Sequence, residues 1–179
     1  MIYVEAPAPL PTEGNRWVEH PIVFLGGGIC KSPQWQLEVV RALDSMELPE
    51  FILANPRREN FPIDNPKAAH EQISWEYHAL NRATIFSMWF SGGESERPIC
   101  MYELGRHLVR FVELPRPEII CLGVEPGYRR EQDVRIQTEL VLQEYPYLEA
   151  SINISGSLET HINNIAEAVR ELSEDILGS

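Results

Sequence analysis

The chain has 179 residues, of which 44% are hydrophobic and 23% are charged, and these values are typical of one globular domain with a sizeable core. Its formal net charge is −12, so it would repel a polyanion, and we expect no nucleic-acid polymer among its partners. No apolar run reaches the roughly 18 residues that cross a bilayer, and the N-terminus lacks the features of a signal peptide. These observations predict a cytoplasmic protein that binds no membrane.

The first 19 residues carry Pro7, Pro9 and Pro11 and are predicted to form an extended arm over the body of the protein or over a neighbouring subunit. Residues 20–179 are predicted to form a single α/β domain, because apolar runs there alternate with amphipathic stretches. Strands are predicted at 22–25, 51–54, 84–90, 118–122 and 150–154, and helices at 35–43, after 64–66, after 98, at 130–143 and from 158 onwards.

Strands that alternate with helices predict a five-stranded parallel sheet covered by helices on both faces, which is a flavodoxin-like or Rossmann-like three-layer sandwich. Such a sheet places its ligand site at the carboxyl ends of the strands. In the second helix Ile73, Tyr77 and Leu80 are predicted as a core stripe. Before the last helix Ser157 is predicted as the N-cap.

The cysteines and the glycine-rich turn argue against metal, disulfide and nicotinamide chemistry. Cys30, Cys100 and Cys121 are widely spaced, which favours free thiols, and without a CxxC motif or clustered histidines no metal site is predicted. The turn 26–28 follows the first predicted strand, but Lys31 occupies the third glycine position of a dinucleotide fingerprint. The glycines fit either the close approach of a ligand or a sterically tight turn.

Two glutamates stand out as candidates for acid–base or nucleophilic work. Glu103 lies early in the helix that Pro98 opens, where the helix dipole favours the ionised form that a carboxylate nucleophile requires. Glu76 shares a helix face with Gln72 and could meet a ligand. At its position Glu103 could instead only stabilise its helix, and Gln72 and Glu76 could instead belong to a solvated polar face. The functional and the structural interpretation therefore both stay open for each glutamate.

A set of short motifs occurs in a fixed order along the chain. They are 23–29 (VFLGGGI), Trp35-Gln36, 55–58 (NPRR), 72–76 (QISWE), Trp89-Phe90, 102–105 (YELG) and 128–137 (YRREQDVRIQ). In this order and spacing they resemble the nucleoside 2-deoxyribosyltransferase family over about residues 20–140. The resemblance implies a homo-oligomer that exchanges nucleobases on a deoxyribose by a ping-pong mechanism, with nucleosides and free nucleobases as its ligands and without a cofactor.

The resemblance also assigns roles to individual residues. It makes Glu103 the nucleophile and Glu76 the acid that recognises the base. The predicted substrate-binding residues are Phe24, Gly26, Gly27, Trp35, Asn55, Arg57, Gln72, Trp89, Tyr102 and Asp133, with Trp35 or Trp89 as a stacking wall for the base. The chain departs from the family in having 94–98 (ESERP) in place of an Asp-Asp-Gly stretch, and three glycines in place of Ala-Gly-Pro.

Two other functions remain open at this stage. One is a hydrolase of nucleosides or nucleotides on the same scaffold, in which Arg57, Arg58 or the glycine turn would grip a phosphate. The other is a nucleotide-binding module that has kept the fold without the chemistry. An exchange assay separates transfer from hydrolysis, and turnover separates both from simple binding.

Overall fold

The computed structural model describes residues 1–11, 20–29, 32–62, 64–93, 95–113 and 118–178. Residues 12–19 of the predicted arm lie outside the described residues, as do Cys30, Lys31 and Glu94. Within the described part of the chain the α/β three-layer architecture is confirmed. The division into an arm and a domain at residue 20 stays a prediction.

The described strands form one parallel sheet of six rather than five strands. They are β1 (Ile2–Glu5), β2 (Ile22–Gly27), β3 (Ile52–Asn55), β4 (Ile85–Phe90), β5 (Ile119–Val124) and β6 (Ile152–Ser155), in the spatial order β1-β3-β2-β4-β5-β6. The additional strand β1 comes from the first residues of the predicted arm and pairs with the edge of β3. Only four residues long and followed by prolines, it carries a weak sequence signal.

Helices cover both faces of the sheet. They are α1 (Trp35–Asp44), α2 (Ala68–Arg82), α3 (Pro98–Glu113), α4 (Glu131–Glu144) and α5 (Leu158–Gly178), with a short 3₁₀ helix at Pro146–Ser151. Side chains of successive strand residues alternate between two core clusters, one beneath α2, α3 and α4 and the other beneath α1 and α5. No helix in the described ranges is both long and apolar enough to cross a membrane.

The helix termini and faces agree with the sequence in most places. Ser157 caps α5, because its Oγ accepts a hydrogen bond from the backbone N–H of Thr160 at 3.1 Å. The predicted core stripe of α2 is wrong for Ile73 and Tyr77, which are 65% and 51% exposed. α2 instead turns inward a face that consists of Ala68, Gln72, Ala79 and Leu80, so the prediction is confirmed only for Leu80. Ile73 and Tyr77 lie on a surface face of this helix.

The strand order creates a crevice between the ends of two neighbouring strands. From β2 the chain crosses to β3 on one side, and from β3 it returns to β4 on the other side of β2. The connections that leave β2 and β4 therefore diverge, and a cleft opens where the strand order reverses. The glycine turn follows β2 and the segment that leads to α3 follows β4, so both candidate segments meet at this cleft.

Candidate active site

A cavity of about 290 Å³ lies at the cleft between the ends of β2 and β4. This is near the lower limit of the volumes that small-molecule sites have, roughly 300 Å³. Its walls come from the end of β2, the loop after β3, helix α2 and the first turns of α3. The lining residues include Phe24, Gly26, Gly27, Gly28, Pro56, Glu76, Ser95, Arg97, Cys100 and Glu103.

The glycine turn is shaped by the side chains packed around it. Gly27 has φ +149°, and a Cβ at this position would lie 2.6 Å from the Trp35 ring and from the Trp89 carbonyl oxygen. A Cβ on Gly28 would lie 1.5 Å from Nη1 of Arg97. Glycine is therefore required at position 27, whereas a side chain at position 28 would displace the Arg97 guanidinium, and the backbone of the turn forms one wall of the cavity.

Glu103 lies in the second turn of α3 and is half-buried at the cavity wall. The pKa of its carboxyl is raised to about 7, first by burial and then by the charge of Glu76, and the charge of Arg106 opposes this rise. Burial and the charge of Glu76 therefore oppose the helix dipole, on which the prediction of an ionised Glu103 rests.

Glu76 reaches the same cavity from α2, although it lies more than two turns into that helix. Gln72 joins α2 to the end of β3, because its Nε2 donates to the Pro56 carbonyl at 2.6 Å and to Glu76 Oε1 at 2.7 Å. Burial raises the pKa of Glu76, while the hydrogen bond from Gln72 and the charge of Arg58 lower it. The helix is thus held across the cleft with this carboxyl facing the cavity.

The two carboxyls form a coupled pair. Because each lies in a partly desolvated position and the charge of one raises the pKa of the other, the pair retains a proton near neutral pH. The Gln72 amide stabilises the ionised form of Glu76, which favours Glu103 as the carboxyl that holds the proton. Pairs of carboxyls with separated proton affinities are the arrangement that glycoside chemistry uses.

Several predicted substrate-binding residues lie at or beside this cavity. Phe24, Gly26 and Gly27 line it, and Gln72 contacts Glu76. Asn55 is fully buried and organises the loop after β3, because its Oδ1 accepts a hydrogen bond from the Arg57 backbone N–H at 3.0 Å. The Arg57 guanidinium donates to carbonyl oxygens of the loop before α1 and lies outside the lining of the cavity.

The structure does not place Trp35 or Trp89 where either could stack on a base. Their exposures are 1% and 2%, and both fill the core cluster beneath α1 and α5. The indole Nε1 of Trp35 donates to the Gly28 carbonyl at 3.3 Å, and the Trp89 ring packs on His161. The physical reason is strand alternation, which directs Trp89 to the face opposite α2 and α3.

Tyr102 and Asp133 also lie away from the cavity lining. Tyr102 is 69% exposed because one residue along a helix turns the side chain by about 100° relative to Glu103. The side chain of Asp133 is 51% exposed and forms an ion pair with Arg130 at 3.5 Å. The position of a residue within a motif therefore did not predict whether it lines the cavity.

Sequence reasoning missed Arg97, which stands within the segment that replaces the family's Asp-Asp-Gly stretch. Arg97 and Ser95 line the cavity, whereas the Glu96 carboxylate turns outward to Arg130 at 3.3 Å. Arg97 is 6% exposed and has φ +45°, a conformation that is uncommon outside glycine. The only signal in the sequence was an arginine before the proline that opens a helix after the central strand.

The part of the chain that forms the cavity also matches a family model. The model described as "Nucleoside 2-deoxyribosyltransferase like" matches residues 20–112, which is more than half of the 179-residue chain. The match runs from the start of β2 to the end of α3 and includes every lining residue named above. A search of curated proteins finds no match. On the family match, the chain belongs to the nucleoside 2-deoxyribosyltransferase-like family.

Proposed function

We propose that this protein cleaves the N-glycosidic bond of a (2-deoxy)nucleoside and transfers the sugar to a second nucleobase, with Glu103 as the nucleophile. The observation that carries the proposal is the convergence of Glu103 and Glu76, from two different helices, on one cavity beside the glycine turn. Membership of the family supports a deoxyribosyl transfer. Nucleosides and free nucleobases are therefore the proposed ligands.

In the first step the ionised Glu103 carboxylate attacks the anomeric carbon of the sugar. The bond from this carbon to the base nitrogen breaks, its electron pair goes to the base, and a covalent glycosyl ester forms on Glu103. The proton that Glu103 gives up passes to Glu76, directly or through a water, and from there to the leaving nitrogen. The raised pKa values of both carboxyls suit such a proton transfer near neutral pH.

In the second step a nitrogen of the incoming base attacks the same carbon and breaks the ester to Glu103. The incoming base returns a proton to the carboxyl pair, so the pair ends in its starting state. Two displacements at one carbon retain the configuration of the glycosidic bond. The low polarity of the surrounding wall, which includes Phe24 and Cys100, disfavours water as an alternative acceptor.

We also propose that the protein works as a homo-oligomer. Large apolar side chains are exposed along α2 and α3, the two helices that carry the carboxyls. They are Ile73, Tyr77, Ile99, Tyr102 and Val109, each more than half exposed. A second copy that covered them would remove this apolar surface from water. Sedimentation equilibrium measures the assembly, and a monomer at micromolar concentration would contradict this proposal.

A base-exchange assay tests the proposed reaction. The protein is incubated with thymidine and adenine, and the expected product is deoxyadenosine; free sugar alone would indicate hydrolysis instead. Mass spectrometry of the intact protein is expected to show a gain of one deoxyribosyl unit with thymidine alone. Glu103→Ala should abolish both signals, whereas Glu113→Ala, an exposed glutamate on the same helix, should retain them.

A further inference from the structure

The Arg97 guanidinium is a buried positive charge at the cavity wall without an anionic partner in the described part of the chain. It donates to Ser32 Oγ, to Ser91 Oγ at 2.8 Å and to the Ser91 carbonyl at 3.3 Å, all of which are uncharged acceptors. Its Nε is buried and finds no acceptor among the residues that the structure describes. The residue as a whole is 6% exposed. Since burial of an unpaired charge is costly, a site that retains one calls for an explanation.

The surroundings of Arg97 are arranged to hold the guanidinium rather than to neutralise it. Gly28 leaves room for it, because a Cβ there would lie 1.5 Å from Nη1 and 2.6 Å from Cζ of Arg97. α3 begins directly after Arg97, so the positive end of the helix dipole adds to the positive potential. The hydroxyl-bearing Ser95 completes this part of the wall.

Arg97 and the carboxyl pair occupy different parts of the same cavity. Glu103 lies six positions after Arg97, which corresponds to about 9 Å along a helix axis. Cys100 lies between them: burial and Glu103 raise the pKa of its thiol to about 12, and Arg97 opposes that rise. The cavity therefore has carboxyl groups, those of Glu103 and Glu76, at one part of its wall and the positively charged Arg97 guanidinium at another.

We propose that Arg97 binds the 5′-phosphate of the substrate, so that the sugar donor is a nucleoside 5′-monophosphate rather than a free nucleoside. In such a molecule the phosphate and the anomeric carbon lie at opposite sides of the sugar, which matches the separation of Arg97 from Glu103. The phosphate would supply the anion that the guanidinium lacks and accept charge-assisted hydrogen bonds from it. This inference rests on the proposed function, because it uses Glu103 to position the sugar.

Calorimetry with the Glu103→Gln variant tests the inference without turnover. The probes are thymidine, thymidine 5′-monophosphate, deoxyadenosine, deoxyadenosine 5′-monophosphate and inorganic phosphate. Each monophosphate is expected to bind at least about tenfold more tightly than its nucleoside. In Glu103→Gln/Arg97→Met this preference should fall to about threefold or less. Arg41→Met in place of Arg97→Met removes the same charge from an exposed position on α1 and should leave the preference intact.

Equal affinity of nucleoside and monophosphate for the Glu103→Gln protein would overturn the inference, as would a preference that survives Arg97→Met. The first comparison needs no substitution at Arg97, so the test holds even if Arg97→Met fails to fold. Arg97→Lys, which keeps the charge but not the planar fork, should then give an intermediate preference. Base exchange by the unsubstituted protein without any preference for monophosphates would overturn this inference and leave the proposed function standing. Tight monophosphate binding that depends on Arg97 but leads to no turnover would contradict the proposed function and leave only the phosphate contact of Arg97.

Discussion

Two groups of buried titratable side chains lie on opposite faces of the sheet and have different surroundings. Beneath α5, His161 is fully buried, hydrogen-bonded to Ser87 at 2.9 Å and to Ser155 at 3.4 Å, and packed on Trp89. Burial lowers its pKa to about 3. On the other face Glu103 and Glu76 are only half-buried, and both line open volume.

The difference shows that a shifted pKa by itself does not mark a functional site. His161 is shifted by burial alone and has its partners within the core, so nothing from outside can reach it. Glu103 is shifted by burial together with a second carboxyl, and both face a cavity that a ligand can enter. Open volume and a second titratable group distinguish the carboxyl pair from the histidine cluster.

The largest effect is expected from Glu103→Gln, which removes the proposed nucleophile and keeps its volume. The value of kcat/KM for base exchange should fall by about 10³-fold or more. The matched substitution Asp133→Asn removes a carboxylate that is exposed and outside the cavity lining, and it should change kcat/KM by less than about threefold. Steady-state kinetics measure both, and comparable losses in the two variants would contradict the assignment of Glu103.

Stability measurements separate this loss from unfolding. The pKa of Glu103 is about 7 in the folded chain against an ordinary value of 4.5, so its stabilising contribution is present below pH 4.5 and is lost as pH rises through 7. Glu103→Gln should therefore raise the free energy of unfolding by about 2 kcal/mol at pH 8 and leave it nearly unchanged at pH 4. Urea denaturation at the two pH values measures this change.

Glu76→Gln is expected to have the next largest effect. Loss of the proton carrier should lower kcat/KM by about 10²-fold. In the unsubstituted protein kcat/KM should fall as pH rises through about 7, because the carboxyl pair then loses the proton that it delivers to the leaving base. Glu76→Gln removes the carrier of this proton, so the residual activity of this variant should not show the same fall. A fall that persists in Glu76→Gln, or a rate that rises through about pH 7 in the unsubstituted protein, would contradict the roles proposed for the pair.

His161→Ala should affect stability and spare the chemistry. Deletion of the ring leaves a void and two buried serine hydroxyls without their partner, so the free energy of unfolding should fall by about 2 kcal/mol. The pKa of His161 is about 3 in the folded chain against an ordinary value of 6.5, so the unfolded chain takes up this proton at higher pH than the folded chain does. The stabilising contribution of the neutral ring is therefore complete above pH 6.5 and is lost as pH falls toward 3. His161→Ala should weaken this pH dependence, and exposed His78→Ala should not. A fall in kcat/KM in folded His161→Ala would refute the comparison.

The smallest effect is expected from Trp89→Phe. The residue fills the core beneath α5 and does not line the cavity, so the free energy of unfolding should fall by about 1 kcal/mol while KM stays the same. Thermal denaturation and steady-state kinetics measure the two quantities. A KM of Trp89→Phe that is raised about fivefold or more would support the stacking role that the resemblance implied for this tryptophan.

The sequence by itself determined most of the secondary structure. Apolar runs and helical periodicity located β2 to β6 and all five helices of the described chain within a few residues, because local patterns of burial decide these elements. The edge strand β1 escaped detection since four residues beside prolines carry little periodic signal. The motif order was enough to identify the family and to select Glu103 and Glu76.

Only the tertiary structure decided which motif residues face the cavity. The alternation of side chains along β4 places Trp89 in the core cluster beneath α1 and α5, and the rotation per residue of α3 places Tyr102 at the surface. The packing of α2 leaves Ile73 and Tyr77 exposed. The pKa of Glu103 depends on Glu76, which lies 27 positions earlier on another helix, and the burial of the Arg97 guanidinium depends on the glycine turn. A local pattern specifies the period of an element, whereas the orientation of each side chain and the charges around it depend on contacts between segments distant in sequence.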